Sequence, residues 1–213
     1  MISAQPLALP ARCSTSIAGR YGAILADPPW QYDGESGNGA AAKHYNTVSA
    51  DALAALPVRD LAADDCVLFL WGTWPKLEAA LQVGKAWDFT YKTAAWVWVK
   101  QSGTGRSWHF GNGYWSRANA EVCLLFTRGN PKRKSASVHQ LIIEAGQLSL
   151  FEPLIAPFTV HSAKPNETYH RIERLVPGPY LELFARNSAP GWDSWGNQAP
   201  NCIDWRPNMQ RAA

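Results

Sequence analysis

Paired cysteines, metal-ligand spacings and long apolar runs are all missing from this sequence. Its four cysteines, Cys13, Cys66, Cys123 and Cys202, stand far apart, so neither a disulfide framework nor a zinc site is expected. Cys66 and Cys123 fall inside apolar runs, where cysteine behaves as a small core residue. The five histidines, His44, His109, His139, His161 and His170, show no ligand spacing, and no metal is expected. No apolar stretch has the length needed to span a bilayer, and residues 1–20 lack a signal-peptide core. A cytoplasmic protein is the expectation. Neither sign of charge dominates: 20 Lys and Arg against 17 Asp and Glu leave a formal charge of +3. That balance is compatible with nucleic-acid binding without requiring it. An early Gly-x-Gly strand–turn–helix is also absent. Ser102-Gly103-Thr104-Gly105 has no Gly-Lys-Ser/Thr after it and reads as a flexible link, unlike a phosphate loop.

What the chain does contain is a run of short apolar segments. With 213 residues, 46% of them hydrophobic, it is long enough for one α/β domain, taken as residues 1–213. Residues 1–20 read as an irregular lead-in. Strands are predicted at Tyr21 to Ala26, Cys66 to Trp71, Thr90 to Lys100, Glu121 to Thr127, Leu141 to Glu144 and Tyr180 to Phe184, the last one clear in the pattern. Helices are predicted at Ser49 to Leu56, Pro75 to Val83 and Asn166 to Val176. The third has Tyr169, Ile172, Leu175 and Val176 on one face, with Gly178 suited to its stop. Gln31 to Tyr45 holds Gly34, Gly37 and Gly39 and reads as a loop. Solid apolar strands alternating with helices indicate a mostly parallel sheet covered on both faces. Ligands bind such sheets beyond the carboxyl ends of strands. Asp27 and Arg186 both follow such ends and are expected to face one crevice.

Eleven tryptophans are present. Trp96 and Trp98 alternate within a strand and belong to the core. Trp108, Trp115, Trp192 and Trp195 stand beside Gly, Ser or Asn, where an indole either stacks on a base or packs a loop onto the core. Asp27-Pro28-Pro29-Trp30 directly after the first strand is the sharpest feature. Taken alone it reads as a strand end with a rigid turn, Asp27 capping it and Trp30 buried. It also has what an exocyclic base amine would need: a carboxylate and a backbone carbonyl to accept two N–H bonds, prolines that offer no competing donor, and a flat face for an extruded base.

With this tetrapeptide the chain resembles the adenosine-N6 methyltransferase family that includes the messenger-RNA methylating enzyme and its bacterial and phage relatives. Further blocks, in the same order, carry the resemblance from Tyr21 to about Gln198: Tyr45-Asn46-Thr47-Val48-Ser49, Leu68-Phe69-Leu70-Trp71, Trp98-Val99-Lys100, Glu121-Val122-Cys123-Leu124, Lys164-Pro165 with Tyr169, Ile172-Glu173-Arg174-Leu175, Glu182-Leu183-Phe184-Ala185-Arg186, and Trp192 through Gly196-Asn197-Gln198. The resemblance implies a Rossmann-like class I methyltransferase fold whose catalytic half precedes its cofactor half, a circularly permuted order. It implies methyl transfer from S-adenosylmethionine to N6 of adenine, leaving S-adenosylhomocysteine, with Asp27, Pro28, Pro29 and Trp30 as the catalytic residues. By resemblance Lys164 would pair with the carboxylate of the cofactor, and Glu182, Arg186, Asn197 and Gln198 would surround its ribose and adenine. Asp27 would also touch its amino group. Two positions depart from the eukaryotic enzymes: an upstream acid of theirs falls near Leu9 here, and Ser188 replaces a histidine.

The segments 101–118 and 128–139 are the expected substrate loops. Tyr45, Lys100, Arg106, Trp108, His109, Trp115, Arg117, Lys132 and Arg133 are the expected nucleic-acid contacts, with Arg128 and Lys134 adding charge. A compact chain without a zinc-finger-like module resembles the bacterial and phage members, which favours DNA over RNA. The alternatives are an RNA adenosine-N6 methyltransferase and a catalytically silent nucleic-acid-binding partner. A monomer or homodimer is expected.

Overall fold

A computed structural model of the chain describes residues 21–32, 47–100, 107, 108, 110, 111, 113, 115–144, 164–200, 202, 203 and 205. The elements are β1 (Tyr21–Ala26), α1 (Ala50–Ala54), β2 (Ala62–Gly72), α2 (Leu77–Ala86), β3 (Thr90–Lys100), β4 (Ala120–Arg128), β5 (Leu141–Glu144), α3 (Glu167–Leu175), β6 (Tyr180–Leu183) and β7 (Trp192–Trp195). Seven strands form one sheet in the order β5-β3-β4-β2-β1-β6-β7. All neighbours are parallel except β4, which runs against both β2 and β3. Among the described residues no helix separates β3 from β4, and a direct return between sheet neighbours is antiparallel.

Every predicted strand is present, three with the expected boundaries and three with shifted ones, β2 starting four residues early. Ser49 caps α1 through its side-chain oxygen, which accepts from the Ala52 N–H at 3.3 Å. The helix stops at Ala54, short of the expected Leu56, because Pro57 disfavours helical backbone at the residue before it. Pro75 lies in a single 3-10 turn, Trp74–Lys76, and α2 begins after it.

One strand escapes the sequence pattern. Trp192 and Trp195, expected in a loop, bracket the four-residue β7, which pairs with β6 from Tyr180↔Trp192 to Leu183↔Trp195. Both indoles are buried. Trp192 stacks on Tyr180 at 4.9 Å and Trp195 meets Trp205 edge-on at 4.8 Å. Asp193 and Ser194 between them break the apolar run, so a two-residue period has too few points to register.

Alternation along the strands sorts side chains onto two faces. Ile24, Ala26, Leu68, Leu70, Leu124, Phe126, Leu181 and Leu183 join the core beneath α1 and α2. Ala23, Leu25, Val67, Phe69, Trp71, Trp96 and Cys123 join the core beneath α3, with Ile172 and Val176 of the third helical segment. The same parity assigns Asp27, Lys100, Glu121 and Glu182 to the α3 face. β1 is central: the chain goes from it to β2 on one side, while β6 and β7 lie on the other. That reversal leaves a crevice at the carboxyl ends of β1 and β6.

Candidate active site

Asp27 is the first residue past β1 and reaches into this crevice. Its backbone N–H points to the Leu183 carbonyl at 3.5 Å, the Trp30 N–H donates to the Pro28 carbonyl at 2.9 Å, and the Val48 N–H donates to the Pro29 carbonyl at 2.8 Å. Gln31 completes the staple by donating to the Val48 carbonyl at 3.1 Å. The Thr47-Val48-Ser49 segment that caps α1 thus also holds the Asp-Pro-Pro-Trp turn. The Pro28 carbonyl keeps a second lone pair for an incoming donor.

Trp30 corrects an expectation. Its ring is buried, at 5% exposure, and its Nε1 donates to the Trp71 carbonyl at 3.0 Å. It anchors the turn from below, and as one wall of a small cavity beside Asp27 it presents little surface to a base. Most of the face is lost because Trp30 bridges to Val48 and is drawn into the α1–α2 core.

Charge is the site's second layer. The Lys164 ammonium stands 2.8 and 2.9 Å from the two Asp27 carboxylate oxygens and 3.3 Å from Glu121 Oε2. Glu121 pairs through its other oxygen with Lys100. The result is an alternating chain, Lys100–Glu121–Lys164–Asp27, drawn from the ends of β3, β4, the α3 entry and β1. Lys164 lies 5.5 Å over the Trp71 ring and Lys100 lies 4.9 Å over Trp98, so two indoles floor the chain. Burial works against the charge of both central members. It is outweighed at Lys164 by Asp27 and Glu121, which raise its pKa, and at Glu121 by Lys164 and Lys100, which lower its pKa.

Lys164, expected to face the cofactor carboxylate, therefore first fixes Asp27. Lys100, expected to touch nucleic acid, is turned inward and spent on Glu121. Glu121 matched only as a strand position in the sequence and is a site member here. The available signal was an acid opening an otherwise apolar strand.

Two cavities meet at Asp27, Lys164 and Arg186. The larger, about 510 Å³, runs between α3 and residues 184–190, and Glu182, Tyr169, Phe184 and Arg186 line it. Its size lies within the range of small-molecule sites, about 300–1,000 Å³. The smaller, about 170 Å³, is walled by Pro28, Pro29, Trp30, Tyr32, Thr73 and Glu121. Glu182 and Arg186 both line the larger cavity. Tyr169, foreseen on an apolar helix face and in the block with Lys164-Pro165, donates its hydroxyl to Glu182 Oε2 at 2.9 Å. Burial pushes the Glu182 carboxyl up to about 7, opposed by that hydrogen bond, while Asp27 raises it further and Arg186 lowers it. Tyr169 is raised by burial and then by the charge of Glu182. Phe184 turns the chain with φ 63°, a left-handed conformation that is strained for a residue with a Cβ and is found at functional sites. Gly196 lets the end of β7 lie against the Ala185 backbone, where any Cβ would collide. Asn197 and Gln198 just beyond it are exposed and are not among the residues lining either cavity. Cys66 and Cys123 are core thiols as expected. Burial pushes Cys66 up to about 12, and burial and then Asp27 raise Cys123.

The β3–β4 connection hangs at the same pole, because β3 ends and β4 starts there. Within it Gly111 bridges to Ala118. Trp108 is 45% exposed, Phe110 is 48% exposed and Trp115 is fully exposed. Arg117 is exposed as well. Tyr45, Arg106 and His109 lie outside the described residues. The 128–139 segment, expected beside the substrate, starts at the opposite pole. Arg128 pairs with Cys66 in the first half of β2 and donates to the Arg59 carbonyl at 2.8 Å. Asn130 is tied to Asp65, and Lys134 donates to carbonyls at the end of α3. Lys132 and Arg133, exposed between these anchors, stand a full strand length, about 20 Å, from Asp27. The antiparallel direction of β4 carries them away.

The profile of the MT-A70 family matches residues 21–198. The type II methyltransferase M.MunI of Mycoplasma sp is 32% identical over 204 residues, covering 85% of this chain and 79% of that protein. The N(6)-adenosine-methyltransferase MT-A70-like protein of Drosophila melanogaster is 32% identical over 187 residues, 86% of this chain and 28% of its own length. The human N(6)-adenosine-methyltransferase catalytic subunit METTL3 is likewise 32% identical over 187 residues, 86% of this chain and 29% of its own.

Proposed function

The chain belongs to the MT-A70 family, and from that membership we propose that the pole around Asp27 methylates N6 of adenine in DNA. It is an S-adenosylmethionine-dependent adenine-N6 methyltransferase; the DNA polymer and the residue roles are the proposal. When bound, the cofactor supplies a methyl group already activated by its sulfonium. What is left to the protein is orientation and charge placement, and no metal is part of the scheme.

The observation that carries the assignment of roles is the meeting of two cavities at Asp27. The larger one suits the cofactor. Glu182 accepts from ribose hydroxyls, Tyr169 holds Glu182 in place, and Arg186 stands at the junction. The smaller one suits the acceptor base, with Pro28, Pro29 and Tyr32 as its walls. There Asp27 and the Pro28 carbonyl accept the two N–H bonds of the exocyclic amine. They hold its nitrogen toward the larger cavity and stabilise the positive charge that develops on it, and the surplus N6 proton then passes to the Asp27 carboxylate or to solvent. Lys164 keeps the Asp27 carboxylate in one orientation, so this geometry exists before the base arrives. Reaching a base within a duplex requires flipping it out of the stack.

DNA is favoured because the chain covers 79% of the type II methyltransferase but under a third of the N(6)-adenosine-methyltransferases it matches. The test is methyl transfer from labelled cofactor to duplex DNA, single-stranded DNA and RNA of matched sequence. Label on DNA is expected, with Asp27→Asn lowering the rate by roughly 100- to 1,000-fold while S-adenosylhomocysteine still binds. Label on RNA alone would move the assignment to an RNA enzyme. Cofactor binding without transfer to any polymer would favour the silent partner.

A further inference from the structure

Two acids and two lysines alternate along one chain at the site, Lys100–Glu121–Lys164–Asp27, with Glu182 and Arg186 beside it. Asp27 and Glu182 are met by Lys164 and Arg186, and both cations line the cofactor cavity. Glu121 is different. It touches two ammonium groups at once, lies at the wall of the acceptor cavity, and is 13% exposed.

Its position raises a question of charge. Lys164 alone would neutralise Asp27, and Lys100 would then add an uncompensated positive charge one side chain away. The methyl donor carries a positive sulfonium and its product does not. The amine also becomes positive as it accepts the methyl group. A site with a surplus cation would disfavour both, and in a buried setting such an effect is screened little by solvent. Glu121 removes the surplus and at the same time draws one of the three Lys164 donors off Asp27. That leaves acceptor capacity on the Asp27 oxygens for the amine.

We propose that Glu121 is a positioning residue that keeps this cluster electrically neutral, so that the site prefers the sulfonium form of the cofactor over its uncharged product. The inference rests on the proposed function above and goes beyond it, since it assigns to a second acid the discrimination between donor and product. Glu121 acts through Lys164 and is not itself required to touch the methyl group. The burial of Lys164 and its elevated pKa are consistent with an ammonium held between two anions.

The experiment is a calorimetric comparison of S-adenosylmethionine and S-adenosylhomocysteine binding, without nucleic acid, to the full chain and three variants. Glu121→Gln keeps the shape and leaves one surplus positive charge. It is expected to weaken S-adenosylmethionine by at least about tenfold while leaving S-adenosylhomocysteine within about twofold. The neutral product thereby also reports that the variant is folded. Lys100→Met has the opposite imbalance and is expected to shift the ratio toward S-adenosylmethionine. The double variant Lys100→Met/Glu121→Gln restores neutrality and is expected to recover most of the lost preference. Equal weakening of both ligands by Glu121→Gln, or a double variant no better than Glu121→Gln, would overturn the proposal. Wild-type protein that binds neither ligand would overturn the functional assignment instead, which keeps the two failures distinct.

Discussion

Glu182 sits on β6 between two core leucines and faces away from them, into the larger cavity beside Tyr169, Asp27 and Arg186. Burial raises its pKa from 4.5 to about 7, which makes it a sensitive reporter of the site. Below 4.5 the residue is protonated in folded and unfolded chains alike. Between 4.5 and about 7 the folded chain keeps a proton that the unfolded chain releases, so its contribution to stability declines as pH rises through that window and then levels off. Binding that uses the ionised carboxylate runs the other way. Affinity for S-adenosylhomocysteine is expected to increase between about pH 6 and about pH 8, and Glu182→Gln to flatten both trends. Titration calorimetry and urea melts across the range measure the two; a pH-independent wild-type affinity would remove Glu182 from the ribose contact. At this scale the acids were visible in the sequence as polar residues in apolar surroundings. Their partners were not, because Lys164 reaches Asp27 across 137 positions of chain.

Helix α2 shows how an element can obey its local rules and still be decided elsewhere. Gly84 lies in the interior of α2, where alanine would ordinarily improve helix propensity by about 1 kcal/mol. Here a Cβ would run into the ring of Phe126 on β4. Overpacking of this kind costs about 1–3 kcal/mol. Gly84→Ala is therefore expected to lower stability by on the order of 1 kcal/mol, and Gly84→Ala/Phe126→Leu to recover part of it. Both are read as urea midpoints at constant slope; a midpoint that rises with Gly84→Ala alone would show that the Phe126 ring yields. Long strands were legible in the sequence because β1, β2 and β4 hold continuous apolar runs buried on two faces, and β3 alternates tryptophan with valine in its second half. β7 was not, since four residues with Asp193 and Ser194 inside them owe their strand geometry to pairing with β6.

The molecule as a whole has two unlike poles. One gathers Asp27, both cavities and the exposed aromatics of the β3–β4 connection. The other carries Lys132, Arg133 and the carboxyl end of α3. Nucleic acid engaged at the first pole would meet Trp115 and not Arg133. Trp115→Ala is expected to weaken DNA binding by about 1–3 kcal/mol, the worth of one stacked base, with cofactor affinity unchanged. The double variant Lys132→Ala/Arg133→Ala is expected to change DNA affinity by less than about twofold. Fluorescence anisotropy with a labelled duplex separates them; the reverse ranking would put the DNA on the other pole.

The order of apolar and charged residues by itself determined that this chain forms a mostly parallel α/β sheet, that a rigid acidic turn follows its first strand, and that an acid and a base end its sixth. These are local properties: side-chain period, proline geometry and helix capping act over a few residues. Tertiary structure alone decided that Trp30 is an anchor beneath the turn, that Lys100 is turned inward, and that Glu121 shares the ammonium of Lys164 with Asp27. Each depends on strand order and on the reversed direction of β4, which set residues far apart in the chain against one another. The charge balance around the reacting amine is a property of that arrangement.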